Sequence, residues 1–190
     1  MITNKKAQWI VEQAKTRFAK LILNPASAAL GMILVVLGLL APSANAATTV
    51  SAADQDFMQA AAQGGMTEVK LGELAAQKGL RDDVKEFGQM MVKDHSAIND
   101  DLKALALVKA VTLPDSLDAK HQGMVDELTG LTGSAFDDAY IAAMVKDHKK
   151  DAKAFKAEST ATQDPDIKNF LDKSIPVVKS HLQHIKAMKK

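Results

Sequence analysis

Apolar residues recur every three or four positions along four stretches of this 190-residue chain, each about 25 residues or longer. That spacing places the apolar side chains on one face of an α-helix. Helix-breaking segments separate the stretches, most clearly "VTLPDS" and "STATQDP". No segment shows the alternation typical of a β-strand. The pattern therefore predicts an all-α protein in which long helices pack their apolar faces together.

The breaking segments predict five helices. The four long helices and the one short helix are expected at Asp54–Lys78, Arg81–Lys109, a short segment reaching Leu128, 134–158, and Pro165 to the C-terminus. Their N-termini have expected capping residues: Asp115 or Ser116 for the short helix, Ser134 with Asp137 as a capping box for the fourth, and Asp164 followed by Pro165 for the fifth.

Two pairs of long helices, joined by a long crossover that carries the short helix, are the layout of a ferritin-like four-helix bundle. A simple up-and-down bundle of five helices is the competing topology. The chain has no cysteine, so neither disulfides nor thiolate metal sites are available to it. Its core must be built from Ala, Leu, Val, Met and Phe, which is a composition that favours helices.

The first 46 residues have the pattern of a secretory signal peptide. Five basic residues and one acidic residue precede an uncharged apolar run from Ala28 to Ala41, and "PSANA" places Ala44 and Ala46 at a cleavage site. The apolar run is shorter than the roughly 20 residues of a membrane span. We therefore expect export to the periplasm and a domain at 47–190. An uncleaved inner-membrane anchor through residues 21–41 is the alternative.

Charge limits the partners of the domain. After residue 46 the chain has 19 basic and 22 acidic residues, which argues against nucleic acid as a partner. No amphipathic β-segments are present to build an integral outer-membrane barrel. A protein partner or a homo-oligomer is left open by the sequence.

Each long helix has one ionisable residue within its apolar stripe: Glu68, His95, His148 and His181. The pentapeptide MVKDH occurs twice, at 91–95 and 144–148, and each copy places Met and His four residues apart on the inward face. Counting from the turns, we expect Glu68, His95 and His148 near the middle of the bundle. The same count places His181 a turn or two off that level, and Pro176, which disturbs its helix, could move it toward or away from the others.

Two further histidines lie elsewhere. His121 falls on a smaller stripe of the short helix and is a weaker candidate ligand, whereas His184 faces away from the stripe and is expected to be exposed. Three nearby acidic residues, Glu73, Asp94 and Asp147, are expected to be solvated.

Burying the carboxylate of Glu68 without a partner would cost on the order of several kcal/mol. It could bind a metal ion together with the histidines, such as iron, manganese, zinc or copper. It could pair with a histidine in a purely structural network that includes Tyr140 or Ser174. Alternatively, the helical register is off by one and these groups face water.

A di-iron oxidase is disfavoured because such sites use Glu-x-x-His motifs. Valine stands three residues before each inward histidine, at Val92, Val145 and Val178. No cysteine or serine arrangement supports nucleophilic catalysis.

The runs "VKEFGQMMVKDHSAINDDL" and "GSAFDDAYIAAMVKDHKKDAKAF" resemble the domain-of-unknown-function 4142 family, and the resemblance spans Asp54 to Leu182. It implies an exported bacterial protein with a ferritin-like bundle, often labelled a putative outer-membrane protein, and it implies no reaction. The positions that match the family motif are Glu68, His95, His121, Phe136, Asp137, Tyr140, His148, Pro176 and His181.

The sequence thus favours a periplasmic protein with a metal-linked or stress-linked binding role rather than turnover. The first alternative is a structural or interaction bundle whose Glu/His network only specifies packing. The second is an oxidoreductase that uses one metal ion at Glu68, His95, His148 and His181.

Overall fold

The computed structural model describes residues 50–189. They form five α-helices, and no β-strand occurs within this range. In chain order the helices are α1 (Ala52–Lys78), α2 (Asp82–Lys109), α3 (Ala119–Thr129), α4 (Gly133–Ala161) and α5 (Pro165–Met188). The predicted signal peptide at 1–46 and the alternative anchor at 21–41 lie outside the described residues.

The helices form two hairpins, α1 with α2 and α4 with α5, each joined by a three-residue connection. The crossover at 110–132 contains α3, which packs against α1 and α4. Contacts of α2 with α5 and of α1 with α4 close the bundle. This arrangement confirms the predicted ferritin-like four-helix bundle with a short helix in its crossover. Among the described residues, no helix combines the length and apolar character that a membrane span needs.

Helix ends show which capping predictions were right. Asp164 caps α5 by accepting hydrogen bonds from Asp166 N and Ile167 N, and Pro165 is the first helical residue, as predicted. The prediction that Asp115 or Ser116 caps α3 was wrong. The chain turns before it becomes helical, and Asp118 is the residue whose carboxylate accepts from His121 N at 2.8 Å.

The predicted capping box of Ser134 and Asp137 was also wrong. The N-cap of helix α4 is Thr132, two residues before Ser134, and no side chain caps this end of the helix. Asp137 is 1% exposed, and its two oxygens accept hydrogen bonds from Leu80 N at 3.0 Å and Arg81 N at 2.9 Å. Asp137 therefore satisfies backbone donors at the start of α2, a helix that has no local side-chain cap.

Helices α1 and α2 approach closely where Gly72 faces Gly88. A Cβ atom on Gly88 would lie 2.6 Å from Gly72 O and 2.8 Å from Ala76 N. Since both of those atoms belong to the backbone, they cannot rotate away from a larger side chain. The absence of a side chain at this crossing therefore allows the close approach of the first hairpin.

The buried apolar side chains form two separate clusters along the bundle. One cluster includes Leu71, Phe87, Met144 and Ile185, and the other includes Met58, Leu102, Phe155 and Val178. On every long helix, the inward ionisable residue lies between these clusters in the sequence. The bundle interior is therefore a polar layer between two apolar layers.

Candidate metal centre

The polar layer contains the four inward residues that the sequence singled out. Glu68 on α1, His95 on α2, His148 on α4 and His181 on α5 are each no more than 2% exposed. The register of all four long helices is therefore as predicted, and the alternative in which these residues face water is wrong.

The structure corrects the predicted level of His181, which lies beside His95 and not a turn or two away. His148 is 13 residues before the end of α4, and His181 is 16 residues after the start of α5. Three residues correspond to about 4.5 Å along a helix, which two side chains can span. The sequence estimate was too large because it counted the connection as if it continued the helices. Helix α5 runs through Pro176 without a break.

Hydrogen bonds link three of the four residues and a fifth residue, Asp94, in a chain. His95 Nδ1 lies 2.7 Å from Glu68 Oε2, and His95 Nε2 lies 3.2 Å from His181 Nδ1. His181 Nε2 lies 2.9 Å from Asp94 Oδ2. The chain begins and ends at a carboxyl group. Burial favours the neutral form of Glu68 in the metal-free layer, and the chain then runs in one direction: Glu68 donates to His95 Nδ1, His95 Nε2 donates to His181 Nδ1, and His181 Nε2 donates to Asp94.

His148 is oriented by its own helix. Its Nδ1 donates to Met144 O at 3.1 Å, so its Nε2 carries the lone pair. That Nε2 atom is buried without a hydrogen-bond partner, 3.5 Å from Glu68 Oε1, which also has none. Two facing polar atoms are therefore left unsatisfied at the centre of the layer.

The outer hydrogen bonds determine which ring nitrogens face inward. When Glu68 is ionised, as it would be beside a bound cation, carboxylates accept from His95 Nδ1 and His181 Nε2, and a carbonyl accepts from His148 Nδ1. The remaining nitrogens, His95 Nε2, His148 Nε2 and His181 Nδ1, are then free to act as ligands. Each ring offers one nitrogen, and the three nitrogens all lie within 4.8 Å of one another.

The spacing suits a metal ion. Imidazole ligands at about 2.0 Å in a tetrahedral site have nitrogens about 3.3 Å apart. The 3.2 Å between His95 Nε2 and His181 Nδ1 is close to that value. The centroids of the three rings are 5.2 to 5.6 Å apart. The residues present therefore fit a mononuclear site with nitrogen ligands.

Burial keeps the histidines in the neutral form that binds metals. It lowers the pKa of His95 to about 4 and that of His148 to about 3. It also lowers the pKa of His181, against the opposing effect of the hydrogen bond that His181 donates to Asp94. Burial raises the pKa of Glu68 well above its usual range, and the charge of Asp147 adds to that effect. The layer thus disfavours net charge in the absence of a cation.

Two acidic residues near the site were misassigned from the sequence, and a third, Asp151, was not singled out. Asp94 was expected to be solvated, but it contacts His181, and its side chain is only 31% exposed. Asp147, which was also expected to be solvated, is half-buried and lies near Glu68 and Asp151. The repeat contained the signal, because an aspartate precedes the inward histidine in both copies of MVKDH.

The other candidates lie outside the polar layer. His121 is half-buried on α3 and bonds through Nδ1 to Asp118 at 2.8 Å. His184 is exposed, as predicted, with its ring edge-on to Phe87. Neither residue comes together with the three inward histidines.

The predicted participation of Tyr140 or Ser174 in the network was wrong. Tyr140 is fully buried, but its hydroxyl has no hydrogen-bond partner, and burial together with the charge of Glu68 raises the pKa of that hydroxyl. Ser174 Oγ instead donates to Phe170 O at 2.8 Å within its own helix. The network therefore consists of carboxylates and imidazoles.

The fold and site together define a ferritin-like helical bundle with a candidate metal centre of three histidines and a glutamate. The family model described as "Domain of unknown function (DUF4142)" matches residues 39–188. The chain belongs to this family. No curated protein matches the sequence.

Solved structures with this fold include a DUF305 fragment from Deinococcus radiodurans, which has 9% identity and a TM-score of 0.65, with 74% of this chain and 97% of that chain covered. CopM in the Cu(I)-bound form has 18% identity and a TM-score of 0.60, with coverage of 71% and 94%. CopM in the Cu(II)-bound form has 18% identity and a TM-score of 0.61, with coverage of 72% and 95%. At these identities the likeness establishes the fold alone.

Proposed function

We propose that this protein is an exported periplasmic metal-binding protein that holds one copper or zinc ion at His95, His148 and His181. Glu68 orients His95 through Oε2, and its free Oε1 is placed to serve as a fourth ligand. The role is binding rather than turnover.

The observation that carries the proposal is that three imidazole rings each turn one nitrogen toward the others. The second nitrogen of each ring already has a hydrogen-bond partner outside the group. With Glu68 ionised, each ring donates its N–H outward to Glu68, Asp94 or Met144 O. Such outer contacts orient metal-binding histidines and raise their basicity. A network that served packing alone would not need to leave His148 Nε2 and Glu68 Oε1 without partners.

The donor set favours particular metals. Neutral imidazole suits zinc, copper, iron and nickel, and a site with three nitrogens and at most one carboxylate has too few oxygen ligands for magnesium or calcium. Copper is supported in addition by the structural likeness to CopM, which is itself copper-bound in both oxidation states.

The experiment compares metal binding by the wild type, His148→Ala and His181→Ala. Calorimetric titration with Zn²⁺, and competition for Cu(I) with a chromophoric chelator, would give the stoichiometry and the affinity. We expect near-stoichiometric binding in the wild type and its loss in both variants. His184→Ala is the matched control because His184 is exposed on the same helix as His181. Unchanged binding in His148→Ala, or none in the wild type, would refute the proposal.

A second candidate function is a structural bundle whose polar layer only specifies packing. The observation that favours it is the continuous chain from Glu68 through His95 and His181 to Asp94, which is hydrogen-bonded without an ion. Buried polar networks of this kind can fix which helices pair and in what register.

Glu68→Gln separates the two functions. The amide oxygen of glutamine can still accept from His95 Nδ1, so a packing role is largely preserved. If the layer binds metal, affinity falls in this variant while the metal-free protein keeps its melting temperature. No measurable metal binding in either protein, with the melting temperature unchanged, would favour the structural role.

Export is testable independently of metal binding. We expect the protein in the periplasmic fraction, with an intact mass that corresponds to a chain starting at Ala47. Retention of the full-length chain in the inner membrane would favour the anchor at 21–41.

A further inference from the structure

A second group of potential ligands lies beside the histidines and contains only oxygen donors. Glu68, Asp147 and Asp151 each place one carboxylate oxygen within 4.8 Å of the other two. Asp147 and Asp151 are one helical turn apart on α4, so both face α1. The side chain of Asp151 is only 13% exposed, so water screens its interactions with the neighbouring carboxyl groups little.

A cavity of about 60 Å³ lies beside this group and is lined by Glu68, His95, Asn99 and Asp151. A single water needs roughly 10 to 15 Å³ of such volume, so the cavity has room for an ion with a few waters. Gly64 and Gly65 also line it, and a Cβ on Gly65 would lie 1.9 Å from Asn99 Oδ1. The glycine at position 65 therefore leaves the space that Asn99 occupies.

Two acceptor oxygens of the cavity lining have no hydrogen-bond partner. One is Glu68 Oε1, and Glu68 is only 2% exposed. The other is Asn99 Oδ1. Lys150 also lines the cavity, and its ammonium lies 3.8 Å from Asp151 Oδ1, with 59% of its side chain exposed. It hydrogen-bonds neither of the two unpartnered oxygens. A buried acceptor without a donor costs about 1–3 kcal/mol, and more if it is charged.

We propose that Glu68, Asp147 and Asp151 form a second cation site, specific for a hard divalent ion such as Mn²⁺, Mg²⁺ or Ca²⁺. Asn99 Oδ1 and water in the cavity complete its coordination. Glu68 is shared by the two sites: Oε2 stays on His95, and Oε1 is a ligand that bridges the two ions when both are bound. The site goes beyond the proposed function because it does not need the histidines to hold an ion.

The chemistry of the donors sets this preference. Carboxylate and amide oxygens suit hard cations, whereas imidazole nitrogens suit zinc and copper. Oxygens bound to one ion at about 2.3–2.6 Å lie at most about 5 Å apart. The separations of 4.8 Å or less in this cluster satisfy that limit for Ca²⁺ before any side chain moves. A smaller ion such as Mg²⁺, with bonds of about 2.0–2.1 Å, draws its oxygens to within about 4 Å of one another.

Binding of Mn²⁺ tests the site, because free Mn²⁺ gives an electron paramagnetic resonance signal that weakens on binding. We expect the wild type to bind one Mn²⁺ and the double variant Asp147→Asn with Asp151→Asn to bind it at least about tenfold more weakly. Asp138→Asn is the control, since it removes an exposed carboxylate from the same helix. Equal Mn²⁺ affinity in the wild type and the double variant would overturn the proposal.

His181→Ala separates this proposal from the proposed function. His181 has no contact with Glu68 in the hydrogen-bond chain, so the Glu68–His95 pair is retained. We expect this variant to lose zinc and copper binding but keep Mn²⁺ binding within about twofold of the wild type. Loss of Mn²⁺ binding together with zinc and copper binding would show that one histidine site binds all three, and would overturn the second site. Mn²⁺ binding that disappears in the aspartate variant alone would support it even if zinc and copper failed to bind.

Discussion

Asp94 on α2 accepts a hydrogen bond from Nε2 of His181 on α5, at 2.9 Å, and thereby joins the two hairpins at the level of the polar layer. The contact also turns Nδ1 of His181 toward His95. A residue at the edge of the bundle thus determines the tautomer of a ring inside it.

Asp94→Ala tests this relationship. We expect a loss of about 10–100-fold in zinc or copper affinity, because His181 loses the acceptor that orients it. The measurement is calorimetric titration of both proteins at the same pH. Asp101→Ala is the matched control, since Asp101 is exposed on the same helix. Equal affinities in Asp94→Ala and the wild type would show that His181 is oriented by packing alone.

Glu158 on α4 gives a pH-dependent contribution to stability far from the candidate metal centre. Burial, a hydrogen bond to Asp54 and the charge of Asp54 raise the pKa of Glu158 from 4.5 to about 7. The folded protein therefore binds a proton that the unfolded chain releases between those values. The free energy of unfolding should fall as pH rises from about 5 to 8.

The comparison for this prediction is Glu158→Gln, whose amide can donate to Asp54 at every pH. We expect the wild type to lose stability relative to Glu158→Gln as pH rises through 7, measured by urea denaturation at pH 5 and pH 8. Glu127→Gln, at an exposed position, should show no such trend. A difference between wild type and Glu158→Gln that stays constant with pH would contradict the assigned pKa.

Asp137→Ala should destabilise the bundle without changing metal affinity. The substitution removes the acceptors of Leu80 N and Arg81 N at the start of α2. We expect a loss of about 2 kcal/mol or more in the free energy of unfolding, measured by urea denaturation. Asp138→Ala, one residue along and exposed, should change it by less than about 0.5 kcal/mol. Similar values for the two variants would mean that water satisfies these donors equally well.

Gly88→Ala and Gly123→Ala should change stability in opposite directions. At position 88 the new methyl group would meet backbone atoms at 2.6 and 2.8 Å, and we expect a loss of about 1–3 kcal/mol. At position 123, within α3, nothing lies within 4 Å, and alanine should stabilise the helix by about 0.5–1 kcal/mol. Thermal unfolding of the two variants beside the wild type measures both effects. Stabilisation by Gly88→Ala would show that α1 and α2 can separate without cost.

The capping residues show how far local sequence rules reach. Asp164 and Pro165 were predicted correctly because their partners lie within three residues. Asp137 was misassigned because its partners are 56 and 57 residues away in the chain. A capping pattern reports a side chain able to accept from backbone N–H groups, but not which helix supplies them.

The periodicity of the chain by itself determined the helices, the bundle class and the four residues that point inward, because a helical repeat links sequence position directly to direction. Only the tertiary structure decided that His181 is level with His95, that Asp94 supports His181, and that Asp147 and Asp151 approach Glu68. These relationships depend on the connections between helices and on side chains at the edge of each stripe. The apolar repeat constrains neither, since it specifies direction around each helix but not displacement along it.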